Sequence, residues 1–136
     1  MNELMRRVEA GIQNQTFAIM MGFKAEEAEE GRVVISCQKR DDLLQQTGLL
    51  HGGAIGALCE SAAGYAAISV LPEGHSVIGV EYKLNFLRAI TGDKAVAVAK
   101  VIKKGRQLIV VDVEAFQEGS DKVAAKMIFT GTPISG

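Results

Sequence analysis

The feature that most constrains the fold is a long run with a single charged side chain. From residue 48 to residue 71, Glu60 is the only formally charged residue. The run is long enough to raise the question of a membrane span. Because it consists mainly of Gly, Ala and Ser rather than Leu, Ile and Phe, it favours a buried helix instead. We therefore predict a helix over residues 52–70, ended by Pro72-Glu73-Gly74, and no membrane association.

The segments that follow this helix have the composition of β-strands. Residues 77–87, 94–103, 108–116 and 122–132 are rich in Val and Ile and are separated by turn signals. The short spacing between the last three favours antiparallel hairpins. In residues 77–87, every second side chain is apolar, which indicates one face packed against a core; these side chains are Val80, Tyr82, Leu84 and Phe86.

The segments before the helix complete the expected architecture. Residues 2–14 have apolar side chains at helical spacing and predict a short amphipathic helix. Residues 16–24 and 32–39 are predicted to be extended and joined by an acidic turn, and residues 41–50 form a polar connector. The prediction is an α+β fold, with about six antiparallel strands wrapped around one long central helix. Residues 1–136 then form a single domain, as expected for this length.

Composition excludes several functional classes. The net charge of −1 favours neither nucleic acid nor an anionic membrane surface, and aromatic residues are only 5% of the chain. The two cysteines, Cys37 and Cys59, do not have the spacing of a metal site or a disulfide framework. The first 15 residues lack the apolar segment of a secretion signal. We expect a cytoplasmic protein with no cofactor and no metal.

One face of the predicted helix is unusually bare. At about 100° per residue, the bulky side chains share one side of the helix; they are Ile55, Leu58, Ala62, Tyr65, Ala66 and Ser69. The opposite side is centred on Glu60, and its other members are small; they are Gly53, Gly56, Ala57, Ala63, Gly64 and Ala67. Glycine inside a helix costs about 1 kcal/mol relative to alanine, so these glycines need a reason. The small residues either leave a groove for a ligand beside Glu60 or allow close packing, including packing across a subunit interface.

Glu60 is the first candidate catalytic residue. A lone carboxylate in apolar surroundings is a good proton acceptor or a nucleophile that is shielded from water. The alternatives are a surface residue or a buried, paired carboxylate.

The start of the helix supplies a second candidate group. In His51-Gly52-Gly53 the first-turn N–H groups have no partner within the helix and can stabilise an oxyanion. Glu60 lies about 12 Å further along the helix axis. We therefore expect the helix start of one chain to meet Glu60 of another. His51 is a general base, an orienting hydrogen-bond donor or a core histidine, and Gln45 is placed to hold a water or the substrate carbonyl.

The run GLLHGGAIGALCESAAGYAA, with Gln45 six positions before His51, resembles the PaaI-like hotdog-fold thioesterases. The resemblance implies a hotdog subunit that pairs through its sheet into dimers or tetramers, with active sites at the interface. It implies Glu60 as nucleophile or general base, the Gly52 N–H as the group that polarises the thioester carbonyl, and Gln45 as a positioning residue. Glutamate and glutamine at these positions resemble the aryl-CoA branch. Relatives often have Ser or Thr where this chain has Gly64.

The resemblance also suggests how the substrate is bound. Gly53, Ser61 and Gly64 are predicted to be substrate-binding residues. A basic turn formed by Lys103, Lys104 and Arg106 either contacts the CoA phosphates or is a solvated hairpin end, and Arg88 is a second candidate.

The predicted function is hydrolysis of an aryl- or medium-chain acyl-CoA, with the acyl group left open. A hotdog dehydratase or hydratase is one alternative, but such enzymes typically pair a histidine with an acid. This chain has only His51 and His75, and His75 is expected to be exposed in a loop. A non-catalytic acyl-CoA binding module is the other alternative, since it would need the groove and the basic turn but not Glu60.

Overall fold

The computed structural model describes residues 1–135, in which a six-stranded antiparallel sheet wraps around one long helix. The helices are α1 (Glu3–Gln13), α2 (Thr16–Met21) and the central α3 (Gly52–Ser69), with a short 3₁₀ turn at Asp41–Leu43. The strands are β1 (Phe23–Glu29), β2 (Arg32–Gln38), β3 (Ser76–Phe86), β4 (Lys94–Lys104), β5 (Ile109–Gln117) and β6 (Ala125–Ile134). They lie in the order β1-β2-β4-β5-β6-β3. The predicted α+β architecture is confirmed, including both hairpins among the last three strands.

Small side chains allow the sheet to approach α3 closely. The sheet contributes alanines at inward positions of β4, β5 and β6, among them Ala97, Ala115 and Ala125, all fully buried. On the helix, the predicted bulky side is buried at Leu58 and Ala62. The expected bare side is only partly free, because Gly56, Ala63 and Ala67 are buried as well. The sheet therefore curls further around α3 than the helical projection predicts.

The prediction for residues 16–24 is wrong. This segment begins with α2, which Gly22 ends in a left-handed conformation with φ of +74°. The acidic segment that was expected to be a turn is β1, and the reversal into β2 occurs at Glu30 and Gly31, where φ is +82°. The first strand is thus shifted along the chain, whereas β2 lies where residues 32–39 were predicted to be extended.

Strand β3 lies at an edge of the sheet and is mostly exposed, contrary to the expectation of a buried face. Its residues Tyr82, Leu84 and Phe86 pair with Phe129, Met127 and Ala125, which belong to the core, so they do point toward α3. Only Leu84 is half-buried, because α3 offers glycine there and covers the strand incompletely. Val80 is the extra residue of a β-bulge and is exposed.

In residues 1–135, no helix combines the length and the apolar character that crossing a membrane would require.

Candidate active site

The first turn of α3 presents one backbone donor. His51 is the N-cap, and its Nδ1 accepts a hydrogen bond of 2.7 Å from the Gly53 N–H. The Ala54 and Ile55 N–H groups donate to the His51 carbonyl. The Gly52 N–H therefore remains as the donor at the positive end of the helix, with no acceptor among the described residues.

The side chain of His51 therefore caps the N-terminus of α3. Since Nδ1 is an acceptor, the ring proton of neutral His51 is on Nε2. The bond also engages the Gly53 N–H, so this predicted binding residue has no backbone donor free for a ligand.

Gln45 is held beside this helix start by its own loop. Its backbone exchanges hydrogen bonds within the turn, with Leu49 O accepting from Gln45 N at 2.8 Å and Gly48 N donating to Gln45 O at 3.0 Å. The side-chain Oε1 accepts from the Thr47 N–H and hydroxyl. These contacts leave the Gln45 amide NH₂ as the group that can donate outward.

Gln45, Gly52 and Arg88 line one cavity of about 370 Å³, which we call the Gly52 cavity. Arg88 follows β3, and its N–H donates to Ala124 O at 3.1 Å. The end of β3 forms the opposite wall, since a Cβ at Gly52 would lie 3.1 Å from Phe86 Cζ. Three predicted site residues are thus brought together.

Glu60 lines a separate cavity of about 250 Å³, which we call the Glu60 cavity. The predicted residues Ser61 and Gly64 line it as well. A Cβ at Gly79 would lie 3.9 Å from Glu60 Oε2, so the backbone of β3 passes close to the carboxylate. The space beside Gly64 is open, because a Cβ built there meets no atom within 4 Å.

On the single chain Glu60 is exposed, so its apolar surroundings remain an expectation that depends on a partner chain. Glu60 is exposed at the mouth of its cavity, and no hydrogen bond or ion pair joins it to another described residue. The apolar surroundings inferred from the sequence are the core residues on the other sides of α3. The carboxylate faces open space on the isolated chain.

Several residues of the Glu60 cavity were not identified from the sequence. The helical projection places Tyr65 on the sheet side of α3. In the structure Tyr65 lines this cavity together with Gln15 from the start of α2. Ser76, Val77 and Phe129 complete much of the wall. These residues come from four separate elements, so helical spacing alone gives no signal for them.

The two cavities are separate on one chain, as the helix spacing predicts. Gly52 and Glu60 are eight residues apart on α3, which is about 12 Å of rise. β3 runs past both of them, with Gly79 near Glu60 and Phe86 near Gly52.

The remaining predicted residues lie away from these cavities. Lys103 and Lys104 end β4, and Arg106 follows in the turn before β5; all three are exposed and line neither cavity. His75 is half-buried rather than exposed, and its Nδ1 is buried without a partner among the described residues.

Neither cysteine has the environment of an activated nucleophile. Burial raises the pKa of the Cys59 thiol to about 12, and burial also raises the pKa of Cys37. Among residues 1–135, no group of three or more His, Cys, Asp or Glu side chains is arranged to hold a metal ion. Glu60 is the carboxylate that α3 contributes to the Glu60 cavity.

Comparison with known proteins agrees with this geometry. Residues 47–124 match the model of the thioesterase superfamily, and this span contains His51, Gly52 and Glu60. The chain belongs to the thioesterase superfamily. It is therefore a hydrolase family member with the hotdog fold, and the predicted resemblance to PaaI-like proteins is confirmed.

Individual thioesterase relatives cover most of the chain. A Saccharolobus solfataricus protein named "putative esterase" is 32% identical over 74% of this chain and 70% of its own length. A thioesterase family protein of Silicibacter pomeroyi has the same fold with a TM-score of 0.90 and 32% identity, covering 98% of this chain and 99% of its own. The E. coli PaaI protein from the phenylacetic acid degradation operon has a TM-score of 0.86 and 25% identity, with 98% of each chain covered.

A Streptococcus mutans protein whose structure contains acetyl-CoA is also similar. Its TM-score is 0.75 at 27% identity, over 83% of this chain and 89% of its own.

Proposed function

We propose that this thioesterase hydrolyses acyl-CoA at an active site that two copies of the chain build together. The observation that carries the proposal is that Gly52 and Glu60 line different cavities, while one exposed edge strand, β3, passes both. The similar protein that contains acetyl-CoA supports a CoA thioester as substrate.

The placement of β3 explains how two chains would complete the site. The strand has β6 on one side and no strand on the other, and its exposed side chains include Ile78, Val80 and Tyr82. Gly79 marks the Glu60 end of this strand and Phe86 marks the Gly52 end. If two copies of β3 pair antiparallel about a two-fold axis near Tyr82, the Glu60 end of one strand lies beside the Gly52 end of the other.

In this arrangement each group has a defined task. The Gly52 N–H donates to the thioester carbonyl oxygen and stabilises the negative charge that develops on it. Glu60 from the partner attacks the carbonyl carbon or takes a proton from the attacking water. Gln45, with its amide NH₂ free to donate, orients the carbonyl or the water. If Glu60 acts as base, water adds to the carbonyl carbon, the C–S bond breaks, and the proton that Glu60 took passes to the CoA thiolate, leaving the free acid. If Glu60 attacks, the C–S bond breaks as an acyl anhydride forms on Glu60, and water then hydrolyses the anhydride to the free acid and supplies the proton for the CoA thiol.

The assembly and location are part of the same proposal. The minimum unit is a homodimer, and two such dimers would form a homotetramer. A cytoplasmic location is favoured by the two free, buried cysteines.

The first test is thiol release from a panel of acyl-CoA esters. Glu60→Gln should lower kcat at least ~100-fold, because it removes the base or nucleophile while keeping the side-chain shape. The matched control is Glu73→Gln, an exposed glutamate in the turn after α3, which should keep wild-type kcat. If wild type releases no thiol from any ester, hydrolysis is wrong; if Glu60→Gln retains kcat, the role of Glu60 is wrong.

A second measurement tests the shared site. Gly52→Pro removes the N–H at the first helical position, where proline is tolerated. The half-exposed Phe86 ring must shift slightly to admit the new side chain. A mixture of Glu60→Gln and Gly52→Pro, unfolded and refolded together, should recover about a quarter of wild-type activity. Half of the dimers then contain one chain of each variant, and one of the two sites in such a dimer is intact. Sites built within one chain would give no recovery.

A further inference from the structure

The Glu60 cavity contains a polar pair that hydrolysis does not require. Gln15 Nε2 donates a hydrogen bond of 2.6 Å to the Tyr65 hydroxyl oxygen, joining the start of α2 to the C-terminal half of α3. Both residues line the cavity. Their hydrogen bond links positions fifty residues apart in the chain, so it exists only in the folded structure.

The hydrogen bond leaves one donor and one acceptor for a ligand. The Tyr65 oxygen accepts from Gln15, so the phenol proton is not used, and Gln15 Oε1 receives no hydrogen bond from a described residue. Burial raises the pKa of Tyr65, so the phenol keeps its proton at neutral pH. A hydroxyl group can accept from Tyr65 and donate to Gln15 at the same time.

The ring of Tyr65 packs against a glycine inside α1, where glycine lowers helix stability. Gly11 lies inside α1, where glycine is unfavourable by about 1 kcal/mol relative to alanine. A Cβ at Gly11 would lie 2.7 Å from both the Cε1 and the hydroxyl oxygen of Tyr65. Glycine at this position therefore admits the tyrosine ring in the orientation that reaches Gln15.

The distance from Glu60 fits the far end of an acyl group. Tyr65 is five residues beyond Glu60, about 7.5 Å further along the helix. The same cavity is also lined by three apolar side chains, those of Ile68, Val77 and Phe129. The cavity has about 250 Å³, whereas about 150 Å³ holds a benzene molecule. The three apolar side chains suit methylene groups, and the polar pair suits an oxygen at the end of the chain.

We propose that Tyr65 and Gln15 select a medium-length acyl group with a hydroxyl at its far end. This inference rests on the proposed function, because it uses Glu60 to locate the thioester carbonyl. It assigns Tyr65 and Gln15 to substrate binding and leaves the reacting atoms to Glu60 and Gly52.

The test compares two thioesters that differ only in the terminal group, hexanoyl-CoA and 6-hydroxyhexanoyl-CoA. Wild type should have a kcat/KM at least about tenfold higher for the hydroxylated ester, the size expected for one or two net hydrogen bonds. Tyr65→Phe and Gln15→Leu should each bring this ratio close to one. Gln13→Leu, at an exposed glutamine of α1 outside the Glu60 cavity, is the matched control and should keep the ratio.

Two results would overturn the inference: a wild-type ratio near one, or a high ratio that survives in both Tyr65→Phe and Gln15→Leu. Binding of the corresponding non-hydrolysable thioether analogues separates this inference from the proposed hydrolysis. Tighter binding of the hydroxylated analogue without any thiol release would support the polar pair and contradict the hydrolase. Equal binding of the two analogues, together with thiol release, would contradict only the selection of a terminal hydroxyl.

Discussion

Gly64 lies one helical turn after Glu60 on α3. A Cβ there would meet no atom within 4 Å. Packing therefore does not demand glycine at this position, in contrast to Gly11. The open space belongs to the Glu60 cavity, so the missing side chain enlarges the cavity beside the carboxylate.

Gly64→Ala should raise the free energy of unfolding by about 1 kcal/mol, because alanine is the better helix former and its methyl group has room. Urea denaturation monitored by circular dichroism measures the change. Gly11→Ala is the comparison, since its Cβ would lie 2.7 Å from Tyr65 Cε1 and the ring would have to shift. The Gly11 variant should gain less, and an unstabilised Gly64→Ala would contradict the open space.

The sequence identifies some site residues and cannot identify others. Glu60 and Gly64 are recognisable because both lie on one helix, where spacing alone fixes their relative position. The hydrogen bond between Gln15 and Tyr65 depends on how α2 packs against α3, and no local pattern encodes that packing. The role of His51 was left open because its N-cap bond depends on the loop conformation before α3.

The turn between β4 and β5 has three positive charges, and no salt bridge joins any of them to another described residue. Lys103, Lys104 and Arg106 are exposed, and the turn is closed by the Gly105 N–H donating to Leu108 O at 2.8 Å. We expect these exposed cations to bind the phosphate groups of CoA.

Reversing these charges in Lys103→Glu, Lys104→Glu and Arg106→Glu should raise the KM for acyl-CoA about tenfold. The value of kcat should stay nearly unchanged, because these residues line neither the Gly52 cavity nor the Glu60 cavity. The difference from wild type should shrink at high salt, which screens exposed charges. Steady-state kinetics at two ionic strengths measures both effects. Lys122→Glu, in the exposed loop before β6, is the control. An unchanged KM in the triple variant would exclude the turn from the CoA site.

The long, regular strands can be recognised from the sequence, whereas β1 and α2 cannot. The four segments after α3 were found because they are long and rich in Val and Ile. β1 was mistaken for a turn because a β-bulge between Ala25 and Glu27 interrupts the alternation of inward and outward side chains. α2 was mistaken for a strand because six residues are too few to reveal a helical period, and Phe17, Ile19 and Met20 also suit a strand.

At the scale of the whole molecule, the apolar edge strand β3 is the surface on which the proposed dimer depends. Val80→Lys places a charge on this edge, which is a common means of blocking strand pairing. The variant should be monomeric by light scattering at concentrations where wild type is dimeric. Activity should fall with the dimer, because neither chain then has a complete site.

The control for this variant is Ile102→Lys. Ile102 is 59% exposed and Val80 is 56% exposed, but Ile102 lies on the inner strand β4, just beyond the residues that pair with β2 and beside β5. Both substitutions therefore add one charge to a similarly exposed aliphatic position. A dimeric, active Val80→Lys would show that the chains do not meet along β3.

The opposite edge of the sheet has a different character. β1 carries Glu27 and Glu29 at exposed positions and contains the bulge, and the Asn2 side chain already donates to its Ala28 carbonyl at 2.9 Å. A chain with an unprotected apolar strand at both edges of its sheet could pair with further copies indefinitely and form an open-ended ribbon. In the proposed assembly β3 is the edge that pairs, so we expect growth by strand addition to stop at two chains and a tetramer to form through the faces of the sheets.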